Sequence, residues 1–259
     1  MKIEYSAKSV SGLVRERNED AYLCLPEKGL FVVADGMGGH AGGDVASKMC
    51  VEAIRDWVVG KVAPSPLDGS DDIPLCADAR RVSPRKLLGE SIQYANQRVF
   101  RASETTEGLR GMGTTVVALL LSGKMAFIAN CGDSRAYRFR NHTLLQMTKD
   151  HSLVAEYLRL HLLTKASARH FPYRNVVTKA LGLSSEASFD IRAHRICDRD
   201  LFLLCSDGLT EMVDDRKLKF LLLQNDDLEV LSNKLIEAAL KAGGTDNITV
   251  VLVRCRVTD

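Results

Sequence analysis

A chain of 259 residues with a 46% apolar share has ample material for a packed core, as one large or two small globular units. Its formal charge of +2 gives no general attraction to nucleic acid or to a membrane surface. The apolar runs fall far short of the roughly 20 residues a spanning helix needs. The polar, alternating start MKIEYSAKSV has no apolar stretch of the secretory-leader kind. A cytoplasmic chain is expected. The cysteines at 24, 50, 76, 131, 197, 205 and 255 are scattered and form no C-x-x-C pair. They read as small buried hydrophobes in a reducing compartment, not as disulfide partners or zinc ligands.

In chain order, the first strand-like segment is 29–34, which runs into the glycine-rich stretch VVADGMGGHAGG. Asp44 opens a helix with Val45, Met49, Ala53, Ile54, Trp57 and Val58 on one face. Residues 63–84, rich in proline and acid, read as a variable surface loop. A second helix takes Ser83 as N-cap and Pro84 at its first position, and spaces Leu88, Ile92, Ala95 and Val99 helically. At its start Arg80, Arg81, Arg85 and Lys86 form either a solvated helix entry or a surface for acidic phosphopeptides. Segments 114–122 and 125–130 form a hairpin across LSGK, and 135–140 follows as a strand. After 200–205, Leu228, Leu231, Leu235 and Ala239 mark a helix that stops at Gly243-Gly244, and 247–257 is the last strand. Strands joined mostly by short turns, with helices grouped between them, predict antiparallel sheets with helices packed outside.

Acids recur where the strand-like runs end. Asp35 follows an apolar run and precedes five glycines within eight residues, Asp133 follows FIANC, Asp207 follows LFLLC, and Asp246 precedes the final strand. Glu19 and Asp20 stand ahead of another apolar segment. Any one of them is an ordinary turn residue. As a set they predict carboxylates converging at one rim, where mutual repulsion calls for a cation. Oxygen ligands without histidine or cysteine partners select Mg²⁺, Mn²⁺ or Ca²⁺ over zinc.

The ordered set RERNEDAY, VVADGMGGHAGG, GMGTTVVALL, ANCGDSRAY, LCSDGLTEMV and GGTDNITVVLV resembles the metal-dependent protein phosphatase family, the type 2C serine/threonine phosphatases, in its compact bacterial form. The resemblance runs from about residue 6 to 253. It implies an α+β fold, a sandwich of two antiparallel β-sheets with α-helices on both outer faces, as a single catalytic domain over 1–259. It implies two tight Mn²⁺ or Mg²⁺ sites and a weaker third. By motif, Asp35 bridges the two metals and the Gly36 carbonyl binds one. Glu19 holds the second, partly through Asp20 and water, while Asp207 and Asp246 hold the first. Asp133 serves the third site, with Asp207. Arg15 grips the substrate phosphate, and Asn247 orients Asp246. Side chains at Gly36, Gly38 or Gly39 would crowd the metals or strain the backbone.

The same resemblance implies hydrolysis of phosphoserine and phosphothreonine by a metal-held hydroxide, against a bacterial Ser/Thr kinase and its substrates, in a chain expected to be monomeric. Met37 stands where animal members of the family carry a histidine assigned as proton donor. His40 is the nearest replacement, with a turn-fixing histidine as the alternative. Residues 150–182 resemble the family's flap. The apolar LRLHLL around His161, where relatives carry a small residue, predicts a more helical flap. His151, His161 and His170 read as solvated, since their spacing matches no ligand pattern. Two other functions stay open on sequence alone: a silent phosphoprotein-binding module, and a small-molecule phosphohydrolase. A role in a type VI secretion switch, known for some relatives, is not assigned by the residues.

Overall fold

The computed structural model describes residues 1–38, 42–60, 82–168, 171–224 and 227–257. Two antiparallel sheets face each other. One has the order β1 (Lys2–Val10), β11 (Ile248–Arg256), β10 (Asp200–Cys205), β7 (Arg135–Arg140), β8 (Thr143–Gln146). The other runs β2 (Asp20–Leu25), β3 (Leu30–Met37), β5 (Val116–Ser122), β6 (Met125–Cys131), β9 (Asp190–Arg195), with β4 (Gly113–Thr114) on the end of β3. The expected sandwich is what forms.

Strand alternation sends every second side chain into the space between the sheets. Phe31, Val33, Val117, Leu119 and Ile128 of one sheet meet Phe202, Leu204, Val251 and Val253 of the other. The opposite faces bury the helices. Helices α1 (Gly42–Val58) and α2 (Pro84–Thr105) cover the sheet of β3, with Val32, Ala118, Ala46, Cys50, Ile54, Ile92 and Val99 in one cluster. Helices α5 (Asp207–Thr210), α6 (Asp215–Leu222) and α7 (Leu228–Lys241) cover the sheet of β11 through Leu209, Leu218, Leu231 and Leu235.

Several boundaries differ from the patterning, each for a physical reason. The buried face of α1 centres on Ala46, Cys50, Ala53 and Ile54, with Val45, Met49 and Val58 at its margins. Small residues there let α1 approach β3, while Trp57 stacks on Tyr94 of α2 at 5.1 Å. Ser83 caps α2 as expected, its Oγ accepting from the Lys86 N–H at 3.3 Å. Patterning names no element at 2–10 or 190–195, yet both are strands. Their alternation is half polar because β1 and β9 are edge strands, fixed by pairing with β11 and β6.

The flap carries two short helices, α3 (Leu153–Arg159) and α4 (Lys165–Ala168). It is helical in part, but α3 stops before His161. That residue takes a φ of +58°, a left-handed conformation a glycine would adopt at lower cost. Free cysteines are buried at 50, 131, 205 and 255, but Cys197 is exposed, contrary to the general expectation. Cys76, Arg80, Arg81 and most of the 63–84 loop lie outside the described residues. No helix among the described residues is long and apolar enough to cross a membrane.

Candidate metal centre

The acids gather at one end of the sandwich because the strands that carry them end there together. Asp35 lies inside β3, which continues to Met37, and it extends the inward column of Phe31 and Val33 to the rim. Asp20, the first residue of β2, is the direct cross-strand partner of Asp35. Asp133 follows β6, Asp207 opens α5 directly beyond β10, and Asp246 stands two residues before β11.

Asp20 joins the two sheets. Its Oδ2 accepts from Ser206 Oγ at 2.7 Å and from Thr249 Oγ1 at 2.6 Å, while its Oδ1 is buried with no hydrogen-bond partner among the described residues. Such an orphaned oxygen is costly unless something else satisfies it. Burial raises the Asp20 carboxyl to about 6, against its two hydroxyl donors, and the charge of Asp246 adds to the rise. Burial also raises Asp133 to about 6, with Asp150 contributing. Asp35 is pushed well above the usual carboxylate range by burial, then by the charges of Asp20, Asp207 and Asp133. Asp207 is pushed up likewise, by burial, then by Asp133, Glu211 and Asp246. Glu19 is raised by burial, partly offset by Arg15.

Main-chain contacts hold this rim in place. The Glu19 N–H donates to Asn247 Oδ1 at 2.8 Å, and Asn247 Nδ2 donates to the carbonyls of Ser11 and Arg17. The Asn247 side chain therefore anchors the Arg17–Glu19 segment, and it is the Asn247 backbone N–H that donates to Asp246 Oδ1, at 2.8 Å. A Cβ at Gly36 would lie 2.0 Å from the Gly43 carbonyl oxygen and 2.7 Å from that of Glu19. The first turn of α1 and the Glu19 backbone already leave no room for a side chain here. Gly132 precedes Asp133 at a φ of +109° and would clash with Thr115 if it carried a Cβ. Thr115 in turn shares a hydrogen bond with Ser134 and donates its N–H to the Asp35 carbonyl at 2.8 Å.

Arg15 reaches this rim, where its Nη2 donates to Asp246 Oδ2 at 2.8 Å. Its side chain stays 54% exposed, and the charges of Asp246, Glu19 and Asp207 raise its pKa. His40 and Gly39 lie outside the described residues. Sequence reasoning missed His151 as part of this region. It is only 8% exposed and not a solvated surface residue. Its Nδ1 accepts from the Gly132 N–H at 3.2 Å and its backbone N–H donates to the Gly132 carbonyl, so it props the Asp133 turn from the flap's root. The adjoining DHS in a segment otherwise rich in charge was the available signal. His161 is exposed, and His170 lies outside the described residues.

Among the described residues, no three acidic, histidine or cysteine side chains already close on a single point in ion-holding geometry. The donor set nevertheless fits a hard divalent cation. It is all oxygen, it includes an orphaned buried carboxylate atom, and its members raise one another's proton affinity, as like charges do when nothing positive stands between them.

The model of the family described as "Protein phosphatase 2C" matches residues 14–242, and the chain belongs to that family. The serine/threonine phosphatase Stp of Listeria monocytogenes is 37% identical over 251 residues, covering 95% of this chain and 94% of the relative. The catalytic domain of the serine/threonine protein phosphatase PstP, solved with two manganese ions, superposes with a TM-score of 0.80 at 31% identity, over 98% of this chain and 99% of that one. PppA of Pseudomonas aeruginosa, described as a key regulatory component of the type VI secretion system, is 35% identical with a TM-score of 0.78, over 98% of each chain.

Proposed function

We propose that this rim is the active site of a protein-serine/threonine phosphatase, a phosphoric monoester hydrolase that removes phosphate from phosphoserine and phosphothreonine. One observation carries the reading: Glu19, Asp20, Asp35, Asp133, Asp207 and Asp246, from separate segments, share one end of the sandwich, and the first five hold raised pKa values through burial and the charge of neighbouring acids. Asp35, Glu19, Asp207 and Asp246, with the Gly36 carbonyl, are the ligands we assign to two Mn²⁺ or Mg²⁺ ions. Asp20 supports Glu19, and Asp133 with Asp207 serves a weaker third site. When bound, the ions supply charge neutralisation and a water of lowered pKa.

The chain's own residues do the remaining work. Arg15 is exposed enough to turn from Asp246 to a substrate phosphate, where its planar fork contacts two oxygens. His40 is the residue we assign to protonate the leaving alkoxide. His40→Ala should then slow phosphoserine hydrolysis more than hydrolysis of an aryl phosphate, whose leaving group needs little protonation. Equal slowing of both would return His40 to a turn-fixing role. The reading treats 1–259 as one monomeric, cytoplasmic catalytic domain with 150–182 as flap, acting on the substrates of a Ser/Thr kinase. A manganese-supplemented assay comparing phosphopeptides with metabolite phosphates tests it. Preference for metabolites would make the chain a small-molecule phosphohydrolase, and no turnover of either would leave a binding module.

A further inference from the structure

A second charged region lies on the side of the sandwich, where edge strands β8 and β9 face each other across the gap between the sheets. Register fixes which side chains enter that gap. On β9, Arg192 pairs with Ile128 and His194 with Ala126, both inter-sheet core residues. On β7, Arg138 pairs with Phe202, another inter-sheet residue, and Arg140 lies two residues further on the same face. Arg140 spans the gap, its Nη2 donating to the Arg195 carbonyl at 2.9 Å. The gap is open to solvent here: Leu145 of β8, directly opposite Arg138, is 49% exposed.

The charges in this gap are unbalanced. Arg140 is paired with buried Asp200, and Arg138 and Arg192 have no carboxylate within ion-pair distance among the described residues. Arg138 Nε and His194 Nε2 are buried without hydrogen-bond partners. Inward charge on an edge strand keeps that edge from pairing with another sheet, and one cation per strand would do so. Clustered cations with orphaned donors are a standing cost that an anion would relieve.

We propose that this open edge is a docking site for an acidic segment of the protein substrate, a proposal that rests on the phosphatase reading above. The geometry suits one extended chain. Asp190 opens β9 at the rim end, opposite Asn130 of β6, and Arg192 is two residues further along on the same face, about 7 Å at the rise of a strand. An open cavity of ≈ 1360 Å³ at this rim end reaches Asp190, Lys149 and Lys179, with acids at 150, 156, 214 and 215 also in its lining. A peptide with its phosphothreonine at the rim can cross this cavity and lay acids three to five residues away onto Arg138 and Arg192, beside the apolar surface of Leu145. Peptide is favoured over nucleic acid because the cations flank a narrow inter-sheet gap and the chain as a whole is nearly neutral.

The test compares a phosphothreonine peptide carrying acids at those positions, the same peptide with glutamines there, and p-nitrophenyl phosphate. The Arg138→Gln/Arg192→Gln double variant should lose about tenfold in kcat/KM on the acidic peptide, the size of one charge-assisted contact. It should leave the other two substrates unchanged, and Arg138→Lys/Arg192→Lys should recover part of the loss. Equal treatment of acidic and neutral peptides by the double variant, loss on all three substrates, or equally good competition by a single-stranded oligonucleotide would each overturn the site. Fluorescence anisotropy of the labelled acidic peptide on wild type and double variant reads docking without turnover. A wild type inactive on every substrate would sink the phosphatase reading, while the anisotropy difference would still decide the edge.

Discussion

The acidic rim and the basic edge are both places where like charges are held together, and they bear that burden differently. The carboxylates of the rim titrate. Burial and neighbouring acids lift Asp20 and Asp133 to about 6 and push Asp35 and Asp207 well above the usual carboxylate range, so protons and a divalent cation compete for the same oxygens. The guanidiniums of the edge cannot follow, because arginine keeps its proton throughout the physiological range. Their charge is fixed and is relieved only by an anion from outside. The rim's affinity for its ligand is therefore tied to pH, and the edge's to salt.

Chelation separates the two most sharply. Exhaustive removal of divalent cations should abolish turnover of aryl phosphate and phosphopeptide alike, with return on adding Mn²⁺ or Mg²⁺. Anisotropy of the acidic peptide on the edge should persist in the chelator. Full activity without metal would end the assignment of the rim.

Asp207→Asn comes next. Losing one ligand charge should lower turnover on the order of 100-fold or more, as metal charge stabilisation amounts to several kcal/mol. In chelator at pH 7.5 the variant should melt at a higher temperature than wild type. The sign follows from the raised pKa. A carboxyl with a folded pKa above its unfolded value, about 3.9, contributes stability that is present below the unfolded pKa and lost as pH rises through the folded one. The advantage of Asp207→Asn should therefore shrink at pH 4. Groups common to both proteins, such as His151, cancel in the comparison. A variant less stable than wild type in chelator at pH 7.5 would show that the rim acids do not repel as described.

Arg15→Ala should lower kcat/KM by about 10- to 150-fold, the worth of a bidentate charge-assisted contact, with Arg17→Ala far milder. Loss confined to KM would mean equal grip on ground and transition states. Because Arg15 neutralises Asp246 in this structure, its removal should leave Mn²⁺ affinity unchanged or tighter by calorimetry. Weaker binding would make Arg15 a support of the metal ligands instead of a substrate contact. The smallest effect is that of salt. Between 50 and 300 mM NaCl, a shortening of the Debye length by about 2.4-fold, kcat/KM on the acidic phosphopeptide should fall several-fold and that on aryl phosphate much less.

The sequence by itself determined the central strands, three of the helices and the acids of the rim, because these are local patterns, while the sandwich came with the family resemblance. Alternating apolar runs, the Ser83-Pro84 helix start and an acid directly after a strand each declare themselves within a few residues, and the order of six such motifs marks the family. What depended on pairing was left to the tertiary structure. The strands at 2–10 and 190–195 are held by their neighbours, not by their own apolar content. Asp20 looks like a companion of Glu19 until Ser206 and Thr249 from the other sheet take its Oδ2. His151 looks solvated until the Gly132 N–H turns toward it. Arg138 and Arg192 lie far apart along the chain, each an unremarkable charge on a half-polar strand. Only the closing of one sheet over the other puts them in the same gap, because strand register, unlike periodicity, is a relation between distant segments.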